Sequence, residues 1–535
     1  MRRLGWTGPG WGLGACLLVA CADPAPPAGL APLAMDQAAL RPDNPRSNAL
    51  FRFDDGDLVE HFDSPGGRFR IHFTRAGTHR VAAADNDADG VPDAVQTVAA
   101  GYDEVLVFFT ETLGFRAPLS DEALAPHHGG NERFDVYLVD FAHRGDGAYI
   151  QEVCPTPSHC AGYMAQENDF AGYGYPSLAA AVRILASHEL FHAVQAAYDA
   201  DQGSVINEGT AVWATERFDP TLTDLEGFSD GYLDNPDRPL DEPLPGPVDP
   251  FSYGMGLFFQ FLDERYGESL ILALWESVED GAGGVADPTW LPTLAGLLET
   301  LYETDFPSML AEFAAWNLYT GRRANSELAW ARGTGYPLVA STEVTLPFQD
   351  DRLRRFRAST AYYRAPLEGR TAIAAALVGP PEELADLQVF IALRRGNVIT
   401  WPIPAAVGPV ATQDNEEAIV LVVNSALEGQ SRRPGLCIGE PRQELPDCIA
   451  ALSPELPPDA GLPDVGVDVV DAAVAEDAAP EVDAGPDAGP DAAAEASGGS
   501  DGCQHAPGGG SWWGLLGLAA FVRRRRPATP VVSRA

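Results

Sequence analysis

The spacing of apolar residues divides the chain into a mixed first half, a strand-rich second half and a tail with little apolar content. RFRIHF, Arg68–Phe73, alternates apolar and polar residues and predicts a half-buried strand. AVQTVAAGYDEVLVFFTETLGF, Ala94–Phe115, repeats its apolar residues at helical spacing and predicts a helix. RFDVYLVDF, Arg133–Phe141, and GYMAQENDF, Gly162–Phe170, read as further strands. LAAAVRILASHELFHAVQAAY lacks Gly and Pro, is rich in Ala and Leu, and follows Ser177, an N-cap candidate, so it predicts a long helix. A polar DADQGS turn leads into a second helix, VINEGTAVWATERF, Val205–Phe218. Two amphipathic helices, SYGMGLFFQFLDERYG and PSMLAEFAAWNLYTG, close a first domain at residues 49–323. From residue 334 the period shortens. EVTLPF, AYYRAPL, TAIAAALV, LQVFIALRRG and EAIVLVVNSA predict an all-β sandwich over residues 334–450. The fold class is α+β.

Residues 451–502 hold Pro, Asp, Ala and Gly with DAGPDAGPDA repeats, too few large apolar side chains to offset the entropy of ordering, and predict a disordered acidic linker. Residues 503–526 contain an apolar run, Trp512–Val522, short for a bilayer span, followed by Arg523–Arg526, and predict a short C-terminal apolar helix before a 527–535 tail. The N-terminus has a basic start, Arg2 and Arg3, an apolar stretch, and Leu18-Val19-Ala20-Cys21, which resembles a bacterial lipobox. Residues 1–21 are therefore expected to be an export signal with Cys21 lipidated, an ordinary secretory signal being the alternative, and residues 22–48 a flexible leader. Cys503, the apolar run and the Arg cluster resemble MYXO-CTERM sorting tags of myxobacterial-type surface proteins; a simple C-terminal anchor is the alternative. All these readings place the chain outside the cytoplasm, at the cell surface, outer membrane or beyond. Two close cysteine pairs, Cys154 with Cys160 and Cys437 with Cys448, then read as short-loop disulfides. The charge balance, 35 Lys and Arg against 77 Asp and Glu, giving −42, excludes nucleic acid as an expected partner.

The chemistry concentrates in SHELFHAVQ. His188 and His192 are one helical turn apart and leave the same face, the spacing that lets two imidazoles grip one Zn²⁺, with Glu189 placed to take a proton from water polarised by the ion. Zinc takes a third protein ligand, and Glu208, sixteen residues after His192 on the second helix, is the candidate. Glu216 on the same helix is either a partner steadying a ligand histidine or part of a solvated face.

H-E-x-x-H followed by N-E-G resembles the gluzincin metallopeptidases, the group of thermolysin and the zinc aminopeptidases. The resemblance implies a gluzincin-like metallopeptidase domain with His188, His192 and Glu208 as zinc ligands and Glu189 as general base. Tyr253, in a Y-x-x-G stretch, matches the tyrosine that the aminopeptidase branch uses to stabilise the oxyanion; the alternative is a core aromatic. The G-A-M-E-N type motif for a free amino terminus is absent, so endopeptidase action on a protein or peptide is expected. Gluzincins pair substrate with an edge strand before the zinc helix, which points to Met164–Glu167 as the substrate shelf; an internal strand is the alternative.

DNDADGVPD places Asp85, Asp87, Asp89 and Asp93, with the Val91 carbonyl, at the ligand positions of a calcium-type loop over residues 85–96, although Gln96 stands where the bidentate Glu belongs. The alternative is an acidic surface turn. This turn together with HELFHAVQ and EGTAVW is similar to metalloproteases of deltaproteobacteria. The expected cofactors are thus Zn²⁺ and, at the acidic loop, Ca²⁺. Two other functions stay open: a surface binding or adhesion module with a structural or vestigial zinc site, and a zinc hydrolase of non-peptide amides or esters.

Overall fold

The structure, a computed structural model, describes residues 41–453 except 46, 48, 50, 122–127, 157, 246–248 and 430. The export signal with Cys21, most of the leader, the acidic linker beyond residue 453 and the 503–535 segment lie outside the described residues. The fold is α+β. Among the described residues no helix is long and apolar enough to cross a membrane.

The first half is built on a five-stranded sheet: β1 (Glu60–Asp63), β2 (Phe69–Phe73), β3 (Phe134–Val139), β4 (Gly147–Val153) and β5 (Ala161–Glu167), with α1 (Asp93–Val107) crossing between β2 and β3. The strand order is β1-β2-β3-β5-β4. β2, β3 and β5 run parallel, and β1 and β4 are antiparallel to their neighbours. β5 is therefore internal, which overturns the expected shelf at Met164–Glu167; the edge strand beside it is β4. The hairpin from β4 folds β5 inward against β3, leaving one side of β4 without a strand partner among the described residues.

α1 packs on one sheet face through Val95, Val98, Tyr102 and Val105 against Phe69, Ile71, Val136 and Leu138. Regular α-helix ends at Val107, and a wider π turn, Phe108–Thr112, carries the chain on before Gly114 turns it at φ 81°. The opposite sheet face is also covered. Phe51 and Phe53 pack there on Tyr137, Val139, Phe141 and Tyr163. β2 is consequently buried on both faces rather than half-buried. The leader expected through residue 48 joins the fold earlier, because Arg41 is buried at 2% exposure against this second face.

Helices then take over: α2 (Leu178–Gln195), α3 (Ser204–Phe218), α4 (Asp224–Leu233), α5 (Pro250–Gly254), α6 (Gly256–Tyr266), α7 (Ser269–Ser277), α8 (Trp290–Tyr302) and α9 (Phe306–Trp316). Phe258, Phe261, Phe313, Trp316 and Trp330 form an aromatic cluster at their centre, with Phe261 tilted on Phe313 and the other contacts edge-to-face.

The second half adds β6 (Thr342–Glu343), β7 (Phe348–Asp350), β8 (Ser359–Pro366), β9 (Ala372–Val378), α10 (Pro381–Leu384), β10 (Leu387–Arg395), β11 (Val398–Ile399), β12 (Ile403–Pro404), β13 (Val410–Ala411), β14 (Glu417–Asn424), β15 (Gly435–Gly439) and α11 (Glu444–Leu452). One sheet runs β11-β10-β14-β8-β6 with β12 on β10, the other β13-β9-β15-β7. Val420, Val422 and Ile391 of the first meet Ile373, Leu436 and Ile438 of the second in a shared core. The other face of the larger sheet, through Tyr362, Ile419 and Leu421, merges with the helical core, and Tyr362 donates to the Ala314 carbonyl at 2.9 Å. One hydrophobic core thus runs across residues 323–334, where the change in apolar period suggested a boundary. Both expected disulfides are present: Cys154–Cys160 closes the β4–β5 connection, and Cys437–Cys448 ties α11 to β15.

Candidate metal centre

α2 begins where Ser177 accepts from the Ala180 amide at 3.1 Å, and its second half is buried almost all round. α3 packs against it, pinned by the Ser187 hydroxyl on Thr215 at 3.0 Å. In the N-E-G stretch a side chain at Gly209 would meet the Phe259 ring at 2.7 Å, so glycine lets α6 approach α3. This packing turns Glu208 to the two histidines. His188 Nε2 lies 3.2 Å and His192 Nε2 3.6 Å from the same oxygen, Oε2 of Glu208. The ligand atoms of all three lie within 4.8 Å of one another. Two imidazoles and one carboxylate, leaving further positions open, form a donor set that fits Zn²⁺.

The tautomer of His192 follows from its neighbour. Gln195 Nε2 donates to the Asn207 carbonyl at 2.8 Å, which only accepts, so Gln195 Oε1 faces His192 Nδ1 at 2.8 Å. Nδ1 therefore carries a hydrogen, and the ring meets the site through Nε2. Burial lowers the His192 pKa, but Glu208 and Glu189 outweigh it and push it up to about 9. Burial acts to raise the Glu208 carboxyl, and the two histidines override it and hold Glu208 well below the usual carboxylate range. The buried Glu208 carboxylate and the protonated His192 imidazole thus form an ion pair at this point, and a cation held there would replace the Nε2 proton.

His188 Nδ1 is buried without a hydrogen-bond partner among the described residues, as is Asp224 Oδ2 at the start of α4. Burial raises the Asp224 carboxyl to about 6, and His188 opposes that rise. Glu216, the residue considered for steadying a histidine, instead bonds Arg332 at 2.9 Å. It is buried, so it is not a solvated face either.

Glu189 is anchored to the edge strand. Its Oε2 accepts the Tyr149 amide of β4 at 3.1 Å, while Oε1 has no partner among the described residues. Asp146, fully buried just before β4, lies in the same field. One of its oxygens accepts from Tyr175, and Oδ1 has no partner among the described residues. Burial, and after it the Glu189 charge, raise Asp146 to about 7 against the Tyr175 hydrogen bond.

Tyr253 sits on α5. Asp249 caps that turn by accepting the Phe251 and Ser252 amides. Side chains at Gly231 and Gly254 would strike backbone atoms at 1.8 and 2.3 Å, so only glycine permits this crossing of α4 and α5. The Tyr253 ring stacks on His188 at 5.7 Å, and its hydroxyl lies in the field of the Glu208 carboxylate. Burial first, then the Glu208 and Glu189 charges, raise its pKa strongly.

The acidic loop is partly assembled. Carboxylates of Asp85, Asp87 and Asp93 lie within 4.8 Å of one another. Asp89 turns away, accepting the Val91 amide at 2.8 Å and Gln96 Nε2 at 2.9 Å. Asp85 and Asp93 also accept loop amides, from Gly90 at 3.0 Å and Asn86 at 3.1 Å.

Asp146, Tyr149, Gln195 and Asp224 are the site residues that the sequence reading missed. Gln195 was accessible to it, one turn beyond His192; the others depend on which strand and helix stand beside α2. The chain matches no known protein family, and no curated protein matches it.

Proposed function

We propose that this chain is an exported, surface-tethered zinc metalloendopeptidase of gluzincin type. In this reading residues 49–323 form the metallopeptidase unit and residues 334–450 an all-β sandwich accessory unit. The observation that carries it is the convergence of His188 Nε2, His192 Nε2 and Glu208 Oε2 beside a buried, strand-anchored Glu189. Zinc held by His188, His192 and Glu208 would polarise the scissile carbonyl and acidify a water molecule.

The remaining work falls to the chain itself. Glu189 takes the proton of the attacking water on its unpartnered Oε1 and delivers it to the leaving amine. Its other oxygen, fixed by Tyr149, keeps it from rotating away. Tyr253 remains protonated at neutral pH and supplies a hydrogen-bond donor for the developing oxyanion. An extended substrate lies along the open side of β4, where main-chain pairing aligns it next to Glu189. That open strand favours a peptide over a small amide or ester. The Asp85, Asp87 and Asp93 group is read as a calcium site steadying the start of α1.

Metal analysis with casein digestion tests the proposal. The purified chain is expected to carry about one zinc per molecule, to lose cleavage on chelation and to regain it with zinc. Bound zinc with no cleavage of any protein offered would assign the site to structure instead.

A further inference from the structure

His188 is held on one side only. Its Nε2 faces Glu208 and its ring lies on Tyr253, but its Nδ1 is buried with no hydrogen-bond partner among the described residues. A ring nitrogen shut away from water calls for one. The other acids of the site are already engaged. Glu208 stands on the Nε2 side, Glu189 takes the Tyr149 amide, Asp146 the Tyr175 hydroxyl and Glu216 the Arg332 guanidinium. Asp224 is left. Its Oδ2 is buried and likewise unpartnered among the described residues, and Arg332 pairs with Glu216 and Glu226 instead.

The start of α4 turns Asp224 inward. Thr223, a β-branched residue, stands before it in left-handed backbone at φ 56°, a strained conformation for such a side chain. Asp224 and Phe228 are one turn apart and share a face of the helix. Phe228 packs on Tyr253 at 5.1 Å, and Tyr253 stacks on His188 at 5.7 Å, so this face looks toward His188. After burial, the charge of His188 acts on the Asp224 carboxyl before any other, whereas at Asp146 it comes behind Tyr175 and Glu189.

We infer that Asp224 is the positioning residue of His188. Its Oδ2 takes the Nδ1 hydrogen through one water molecule, which orients the ring and frees Nε2 to meet a metal ion. Gln195 does the same for His192 by direct contact. The inference rests on the zinc reading of the site.

Two variants of the full chain test it. Asp224→Leu removes the acceptor, and Asp224→Asn keeps an accepting oxygen. In competition with a chelator, zinc affinity should fall about 10- to 100-fold in the Leu variant. It should fall less in the Asn variant, whose neutral oxygen still takes the hydrogen. In the metal-free chain, NMR of isotope-labelled histidine should show the share of His188 with hydrogen on Nδ1 falling in the Leu variant and kept in the Asn variant. An acid that only stabilises the first turn of α4 would shift the urea midpoint and leave that share unchanged. Parent-like zinc affinity in a folded Asp224→Leu overturns the inference, and so does a parent-like His188 tautomer there. Should that variant not fold, the metal-free parent decides at about pH 8, above the ordinary histidine pKa. Hydrogen on His188 Nδ1 upholds the inference, and its absence overturns it. A parent that binds no zinc but whose His188 hydrogen follows Asp224 ends the zinc reading and leaves the positioning role intact.

Discussion

On one face of β4 the Tyr149 amide holds Glu189; on the other, Arg41 and His128 hold Glu152. Both are clusters of buried charge on the same edge strand, but they are composed differently. In the second, Arg41 reaches Asp121, Asp135 and Glu152, His72 reaches Asp135 at 2.7 Å, and His128 reaches Glu152 at 2.7 Å. Each acid there faces a cation or an imidazole of the same chain, and the cluster closes on itself. In the first, the ligand atoms of His188, His192 and Glu208 converge on one another, while His188 Nδ1, Asp146 Oδ1 and Asp224 Oδ2 have no partner among the described residues. A closed cluster does structural work. One that converges three ligand atoms on a point is, in the proposed reading, a place for a cation.

The sharpest way to separate the two is to remove function without removing charge balance. Glu189→Gln keeps the shape and the three ligands, so zinc content should stay near that of the parent while casein cleavage falls about 10²- to 10⁴-fold. Parent-like turnover by this variant would end the general-base assignment. Arg41→Met should do the reverse. It strands three buried acids and should cost roughly 3–5 kcal/mol in urea unfolding, with the folded fraction still binding zinc. Loss of zinc without loss of stability would show that the two clusters are not separate in their roles.

The two clusters were also unequally legible in the sequence. The proposed zinc ligands are close in sequence, and helical geometry converts the spacing of His188 and His192 directly into a shared face. Glu208 followed because a short turn joins its helix to theirs. The Arg41 cluster joins residues up to 111 positions apart, and nothing in a Pro- and Ala-rich leader marks one arginine as buried. β4 was missed for a related reason. GAYIQEV lies between glycines and a disulfide loop, and its place at the edge depends on β5 inserting beside β3. Strand order is a non-local property, so the substrate shelf was assigned to the strand nearest the zinc helix in sequence and not to the one at the sheet edge. The short strands of the second half were legible from their alternation and turns, whereas their continuity with the helical core was not.

Gln195 offers a smaller test of the same contrast. It belongs to the converging cluster but touches no ligand position except through His192 Nδ1. Gln195→Leu should leave both histidines in place and lower zinc affinity about 10- to 100-fold, because the imidazole loses the acceptor that fixes its tautomer. Competition with a chromophoric chelator reads this directly. Unchanged affinity would mean that packing alone orients His192.

A third cluster lies between the two types and gives the smallest expected effect. Glu216 pairs with Arg332, but Glu226 shares that arginine, and Asp224, Glu264 and Tyr336 face the same space. Acids outnumber cations, and no lone pairs converge. Burial first, then Glu226, raise Glu216 from 4.5 to about 7. The folded state therefore holds this proton more tightly than the unfolded state does. The resulting stability is fully present below about pH 4.5 and is lost as pH rises through about 7. Glu216→Gln keeps the shape and leaves Arg332 its bond to Glu226. It should flatten the stability profile between pH 5 and 8, leaving the variant roughly 1–2 kcal/mol more stable than the parent at pH 8 and near parity at pH 5. Urea midpoints at the two pH values measure this. If the variant is the less stable one at pH 8, Arg332 fully compensates Glu216, and the cluster closes on itself in the manner of the one around Arg41.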